Sequence, residues 1–396
     1  MVLLDLSAAF DTVNILFKRL EKDIGMRGVT LDWFRSYTDG EYQTIKFGFE
    51  LELELELRIE LNTDFFGLWY YHPEKIEKVP IIDISPLIEG DQIKADSLAN
   101  EFKSALESFG AFYIKGHGIP VDAMNTVLQQ ARDFFSLPLE KKNALSFKDS
   151  NAFRGYFHMG AELTAGKPDI KEGFFFGSNE GRESDYAMFG ENRFPDEKDL
   201  PDFKVCIESF MSSLSDLGMK FAQLFAGGLG LKDDFIQTMF NPPFYNMTLW
   251  HYPPHPKVQD GWGIGPHTDY EVFTFLLQDS VGGLEMKRRD GRWVDLPPIE
   301  GTLLVMIGDV TECWTKGLYR APVHRVKNTH SVSRYSAAFF FQPNLKTVVE
   351  PLDMQATKNY EYHPTRKDLK IPFSYGNQLK LNYDKYFGGA ATKVLY

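Results

Sequence analysis

Between about Thr248 and Gln342 the chain is a succession of short apolar stretches cut by turn residues, and this constrains its fold more than any other feature. Phe273–Leu277, Leu284–Lys287, Trp293–Leu296, Leu303–Ile307, His324–Val326 and Tyr335–Phe341 all have the length of a strand, with Gly, Asp and Pro between them. Strands this short and this numerous must pair into a sandwich or barrel to bury their apolar faces. The expected fold class is α+β, with a double-stranded β-helix (jelly roll) core and flanking helices. Phenylalanine runs at Phe174–Phe176 and Phe339–Phe341 suit strands covered on both faces.

The helices are expected ahead of this core. Residues 92–109 carry Ile93, Leu98, Phe102, Leu106 and Phe109 at helical spacing and stop at Gly110. Ala111–Lys115 reads as a strand entering the turn Gly116–Pro120, Val121–Phe135 as a second helix, and 203–228 as a third that ends on Gly-Gly. The expected partition has four parts: 1–75, an N-terminal segment with a low-complexity linker; 76–200, a helix-and-strand portion; 201–350, the jelly-roll core; and 351–396, a region closing the pocket. Within the first, 1–49 reads as helix and loop. Glu50–Leu61 alternates acidic and apolar residues, a strand period for which that segment offers no evident partner.

Bulk properties narrow the partners. With 43 basic against 55 acidic residues the net charge is −12, and no basic stripe is present to meet a phosphate backbone. The two cysteines, Cys206 and Cys313, are too few for a disulfide framework or a thiolate metal site. No leader pattern opens the chain and no apolar run reaches the roughly 20 residues of a membrane helix. The expectation is a cytoplasmic protein acting on a small molecule, with neither nucleic acid nor membrane as partner.

The chemistry centres on Pro266-His267-Thr268-Asp269. In a strand, positions i and i+2 share a face, so His267 and Asp269 can aim together into a barrel. Alone, a His-x-Asp tripeptide is more often a surface turn, and His324 alone a structural histidine. Together they form a two-histidine, one-carboxylate facial set that leaves positions open on a non-haem Fe(II) ion. Further on, Arg334 and Ser336 lie two apart in an otherwise apolar strand, where a buried guanidinium needs an anion and a carboxylate would fit its fork.

Several motifs in order carry a resemblance. They are Val79–Asp83, Gly110–Ile114 with Gly116–Ile119, Phe134-Phe135 with Leu137–Lys142, Arg154–Tyr156, Tyr252–Pro254, His267–Asp269, Leu276–Asp279 with Val281–Leu284, Gly308-Asp309, His324–Val326 and Arg334–Ser336. Residues ~79–350 resemble the isopenicillin N synthase-like Fe(II)/2-oxoglutarate-dependent dioxygenases. The resemblance implies Fe(II) on His267, Asp269 and His324, and 2-oxoglutarate held by Arg334, Ser336 and Tyr252. It also implies O2 as co-substrate and hydroxylation or desaturation of a small organic substrate. Where the family often has Asn-Tyr-Tyr-Pro, this chain reads Trp250-His251-Tyr252-Pro253. The additional histidines, His251 and His255, are expected in the pocket or a loop, not on the metal. An oxidase of the same fold that dispenses with 2-oxoglutarate, or a non-catalytic barrel that binds ligands, would share much of this pattern. The walls of the substrate pocket are expected from 153–177 and 355–385, with Phe153, Arg154, Tyr156 and Phe175 approaching the substrate.

A second resemblance covers only residues ~1–45. Leu3-Leu4-Asp5-Leu6-Ser7-Ala8-Ala9-Phe10-Asp11-Thr12-Val13 and Leu31–Tyr37 are similar to a non-LTR retrotransposon reverse transcriptase, with Asp5 on a metal-binding position. A polymerase needs a second, paired-aspartate motif for two metals, and no Tyr-x-Asp-Asp occurs. The segment therefore reads as a remnant without catalytic role.

Overall fold

The computed structural model describes residues 78–387 apart from positions 151, 165, 179–187, 232–233, 255–261 and 328–330; of 92–97 and of three strands nearer the N-terminus only the backbone is described. Two compact units divide the chain, Met1–Lys78 and Val79–Tyr396. In the first, Phe34–Asp39, Tyr42–Phe47 and Leu55–Glu60 pair antiparallel in that order. The alternating acidic segment thus has a partner after all, in a stretch that reads as helix and loop; the Tyr, Thr, Ile and Phe of Tyr42–Phe47 favour extended backbone. The reverse-transcriptase-like motif with Asp5 lies outside the described residues.

The second unit is the expected α+β jelly roll. Its larger sheet has eight strands, in the spatial order Ile81–Asp83, Ala111–Lys115, Leu303–Ile307, Phe273–Gln278, Arg334–Gln342, Phe244–Tyr252, Glu172–Gly177 and Gly155–Phe157. The smaller has four: Trp262–His267, His324–Lys327, Leu284–Lys287 and Trp293–Asp295. Side chains of both sheets line one cavity between them, Tyr252, Arg334 and Ser336 from the larger and Ile264, His267 and His324 from the smaller.

Alternation along the central strands explains their unbroken apolar sequence. On Arg334–Gln342, positions 334, 336, 338 and 340 face the cavity. Phe341 packs outward against Gly218, where a Cβ would run into its ring. On Phe273–Gln278, Thr274 and Leu276 face in, while Phe273 and Phe275 meet Phe221 at ring distances of 5.9 and 5.2 Å. Phe221 belongs to the helix Phe203–Gly228, whose buried Ile207, Phe210, Leu214, Leu217 and Phe221 repeat at helical spacing. Both faces of these strands are therefore buried, one by helix and one by the opposing sheet.

The helices Val121–Phe135 and Phe203–Gly228 have the bounds that their periodicity predicts. A C-terminal helix, Tyr375–Tyr386, was not anticipated; its buried face is Tyr375, Gly376, Leu379, Asn382 and Tyr383. Among the described residues no helix is long and apolar enough to cross a membrane.

Candidate metal centre and its two cavities

The smaller sheet's register places His267 directly opposite His324. Their rings lie 4.2 Å apart between centroids. Asp269 is not on that strand, as i, i+2 geometry suggested; the strand ends at His267 and the carboxylate comes from the loop beyond it. The loop is pinned by backbone: the Asp309 N–H donates to the Asp269 carbonyl at 2.9 Å. Gly308 permits this approach, because a Cβ there would collide with the Glu271 backbone.

The result is a convergent set. Asp269 Oδ1 lies 3.6 Å from His267 Nε2 and 3.5 Å from His324 Nε2, and one donor atom of each residue falls within 4.8 Å of the others. His267 Nδ1 is 2.8 Å from the Gly265 carbonyl and His324 Nδ1 is 3.1 Å from that of Pro322. A ring nitrogen facing a carbonyl must carry the proton, which leaves each Nε2 with a free lone pair aimed inward. Burial, and then His324, hold the His267 imidazole well below its ordinary pKa, in the neutral form that a metal requires. Thr274 Oγ1 donates to Asp269 Oδ2 at 2.5 Å, so Oδ1 is the oxygen left for an ion. Two imidazole nitrogens and one carboxylate oxygen on one side fit a ferrous ion with open positions opposite.

Two small cavities, of about 60 and 50 Å³, share Trp250, Ile264, His267, Asp269 and Phe340 as a common wall. The first runs toward Arg334 and Ser336. The cross-strand pairs Tyr252–Arg334 and Trp250–Ser336 set its end. Arg334 is 3% exposed, donates to Gln278 Oε1 (2.9 Å) and Ser336 Oγ (3.2 Å), and lies 4.8 Å over the Tyr252 ring. Its Nε has no partner, and among the described residues no carboxylate pairs with it. Burial pushes the Tyr252 phenol up, an effect that the guanidinium opposes.

The second cavity is lined by Glu162, Thr164, Phe175, Glu271 and the C-terminal Tyr383 and Tyr386, among others. Phe175 is therefore where the sequence places it, but the other three expected substrate contacts are structural. Phe153 packs between Phe147, Tyr383 and Phe387. Arg154 is fully buried and donates to the Ala152 and Met188 carbonyls. Tyr156 donates to Glu172 Oε2 at 2.6 Å. His251 likewise turns away from the pocket, its ring stacked on Tyr335 with nitrogens at Glu172 Oε1 (2.7 Å) and Ser333 Oγ (3.0 Å). His255 lies outside the described residues.

Three features escaped sequence reasoning. Lys171, wholly buried, sits between Glu162 (3.0 Å) and Asp169 (3.3 Å) and 4.0 Å above the Trp250 ring. Arg366 reaches Asp309 Oδ2 (3.5 Å) and donates to Asn382 Oδ1 (2.7 Å), tying the last helix to Asp309, whose amide holds the loop that carries Asp269. Glu271 is buried two positions after Asp269. Charged residues scattered over a linear sequence announce burial only through partners that folding supplies.

Residues 79–197 match a family model described as the non-haem dioxygenase in morphine synthesis N-terminal domain, and 243–343 match the 2OG-Fe(II) oxygenase superfamily. A Dictyostelium discoideum protein, described as a probable iron/ascorbate oxidoreductase, is 32% identical over 81% of this chain and 98% of its own length. A homoarginine-6-hydroxylase from Glycine max is 34% identical over 71% of this chain and 90% of its own. Among solved structures, a full-length Neurospora crassa protein in complex with alpha-KG and thymine aligns at a TM-score of 0.64 with 28% identity, covering 76% of this chain and 95% of that one. The family matches begin at residue 79, which leaves the reverse-transcriptase resemblance of residues 1–45 without support.

Proposed function

Because the chain belongs to the 2OG-Fe(II) oxygenase superfamily, we propose that His267, Asp269 and His324 hold its ferrous ion, and that Arg334 and Ser336 anchor the distal carboxylate of 2-oxoglutarate. The protein is a non-haem iron enzyme that uses Fe(II), 2-oxoglutarate and O2 to oxidise a small organic substrate by hydroxylation or desaturation. The observation that carries the residue assignment is the shared wall: three donor atoms meet where one cavity ends in a buried guanidinium with no carboxylate partner among the described residues and the other is lined by aromatic and acidic side chains.

Bound iron and co-substrate supply the oxidising chemistry. The chain's own residues bind and orient. The Gly265 and Pro322 carbonyls fix the imidazole tautomers, and Thr274 turns Asp269 so that Oδ1 faces the ion. Arg334 presents a fork to a carboxylate, with the Ser336 hydroxyl beside it and the Tyr252 ring beneath. Trp250, Ile264 and Phe340 keep bulk water from the junction of the two cavities. In this reading residues 1–75 take no part in the chemistry.

The test is stoichiometric. Protein freed of metal and reloaded with Fe(II) is expected to release succinate only when 2-oxoglutarate and O2 are both present; oxygen uptake that ignores 2-oxoglutarate would instead assign the chain to the oxidases of this fold. Thr274→Val keeps the side chain's shape but removes the donor to Asp269. Its expected effect is a roughly 10- to 100-fold loss of Fe(II) affinity, read by competition with a chelator.

A further inference from the structure

Glu271 is 1% exposed and lines the second cavity, yet neither carboxylate oxygen has a hydrogen-bond partner. A buried carboxylate left bare is costly, and folded proteins retain one where something else completes it. No neighbouring side chain does so. The nearby phenol of Tyr375 donates to Gln342 Oε1, and that of Tyr383 is engaged by both Asn246 and Tyr270. Arg366 is engaged with Asp309, Asp368 and Asn382.

The charge balance of the cavity points the same way. No lysine or arginine is among its lining residues. Lys171, the buried ammonium that meets the lining residue Glu162, also touches Asp169 and is outnumbered by the two. With Glu162, Asp269 and Glu271 the wall carries three carboxyl groups and no ammonium or guanidinium. The rest of the wall is aromatic: Phe175, Tyr270, Tyr383, Tyr386 and Phe387. Ring faces attract cations and offer nothing to an anion.

We propose that this enzyme's substrate carries a protonated amine or guanidinium, and that Glu271 is the specificity-determining residue that receives it. The assignment rests on the oxygenase reading for the identity of the second cavity as the substrate site. The cation supplies the missing counter-charge and donors, and the tyrosine and phenylalanine rings surround its aliphatic stem. A substrate whose only charge is a carboxylate finds no partner there.

The experiment uses the full chain loaded with Co(II) and 2-oxoglutarate, so that binding is read by calorimetry without turnover. The probes are butylguanidine, hexylamine and arginine, each paired with a counterpart that lacks its terminal charge: butylurea, hexanol and citrulline. At least one cationic member is expected to bind roughly 10- to 100-fold more tightly than its partner, the span for hydrogen bonds to a charged group. Glu271→Gln, nearly isosteric, is expected to reduce that preference to a few-fold. Equal binding of the neutral partners, an undiminished preference in E271Q, or no binding of any probe by protein that still takes up Co(II) and 2-oxoglutarate would each overturn the proposal. Failure to take up Co(II) and 2-oxoglutarate would sink the oxygenase reading instead. The same titration on metal-free protein would then decide the cation subsite by itself, preference for the cations sustaining it and parity overturning it.

Discussion

Protein carrying His324→Ala is expected to lose Fe(II) on desalting and to fall in 2-oxoglutarate turnover by on the order of 10³-fold, about 4 kcal/mol in transition-state terms. In the proposed ligand set His324 is one of three donors, and the other two cannot move to replace it. His267 is held by strand register and Asp269 by the Asp309 amide and the Thr274 hydroxyl. Iron content by elemental analysis, measured beside succinate release, checks the result. A variant that kept full iron and lost only turnover would mean that His324 serves some other purpose. Circular dichroism separates this from unfolding, since the imidazole fills space that an alanine leaves to solvent or an ion.

Arg334→Met should act on the co-substrate and spare the metal. The guanidinium is buried without a carboxylate partner among the described residues, so the distal end of 2-oxoglutarate would complete it. Removing one member of a buried charge pair costs about 3–5 kcal/mol, so the dissociation constant for 2-oxoglutarate is expected to rise by roughly 10²- to 4 × 10³-fold while Fe(II) affinity stays near that of the parent. Arg334→Lys should recover only part of this loss, because an ammonium cannot reproduce a two-pronged contact with a carboxylate. Titration of the metal-loaded protein with 2-oxoglutarate measures both variants. Unchanged binding in R334M would remove Arg334 from the co-substrate site.

Much of the architecture was legible because it rests on local signals. Ala111–Lys115, Leu284–Lys287 and Leu303–Ile307 occupy the strands expected of them, since apolar runs bounded by Gly, Asp or Pro have few other uses. The convergence of His267, Asp269 and His324 was legible as residue types in order, but the route was not: Asp269 arrives from a loop whose position depends on Gly308 and Asp309, some forty residues away. Arg154 and Tyr156 misled because a charged and aromatic stretch looks like a pocket wall. Both terminal nitrogens of Arg154 go to the Ala152 and Met188 carbonyls, and the Tyr156 hydroxyl goes to Glu172. Lys171, Glu271 and Arg366 were invisible for the complementary reason, since nothing local distinguishes an interior charge from a surface one. The helix Tyr375–Tyr386 is short and mostly polar, and packing against Asn246 and Gln342 through Tyr383 and Tyr375 gives it its place.

With the proposed ligand set, the ladder that sets His267 opposite His324 makes iron uptake an audit of assembly. Side chains along a strand alternate, so slippage by a single position between these two strands would export an imidazole to the wrong side and dissolve the coordination sphere. Chains zipped out of step would emerge from biosynthesis unladen, and the ion would sort the correctly aligned molecules from the rest.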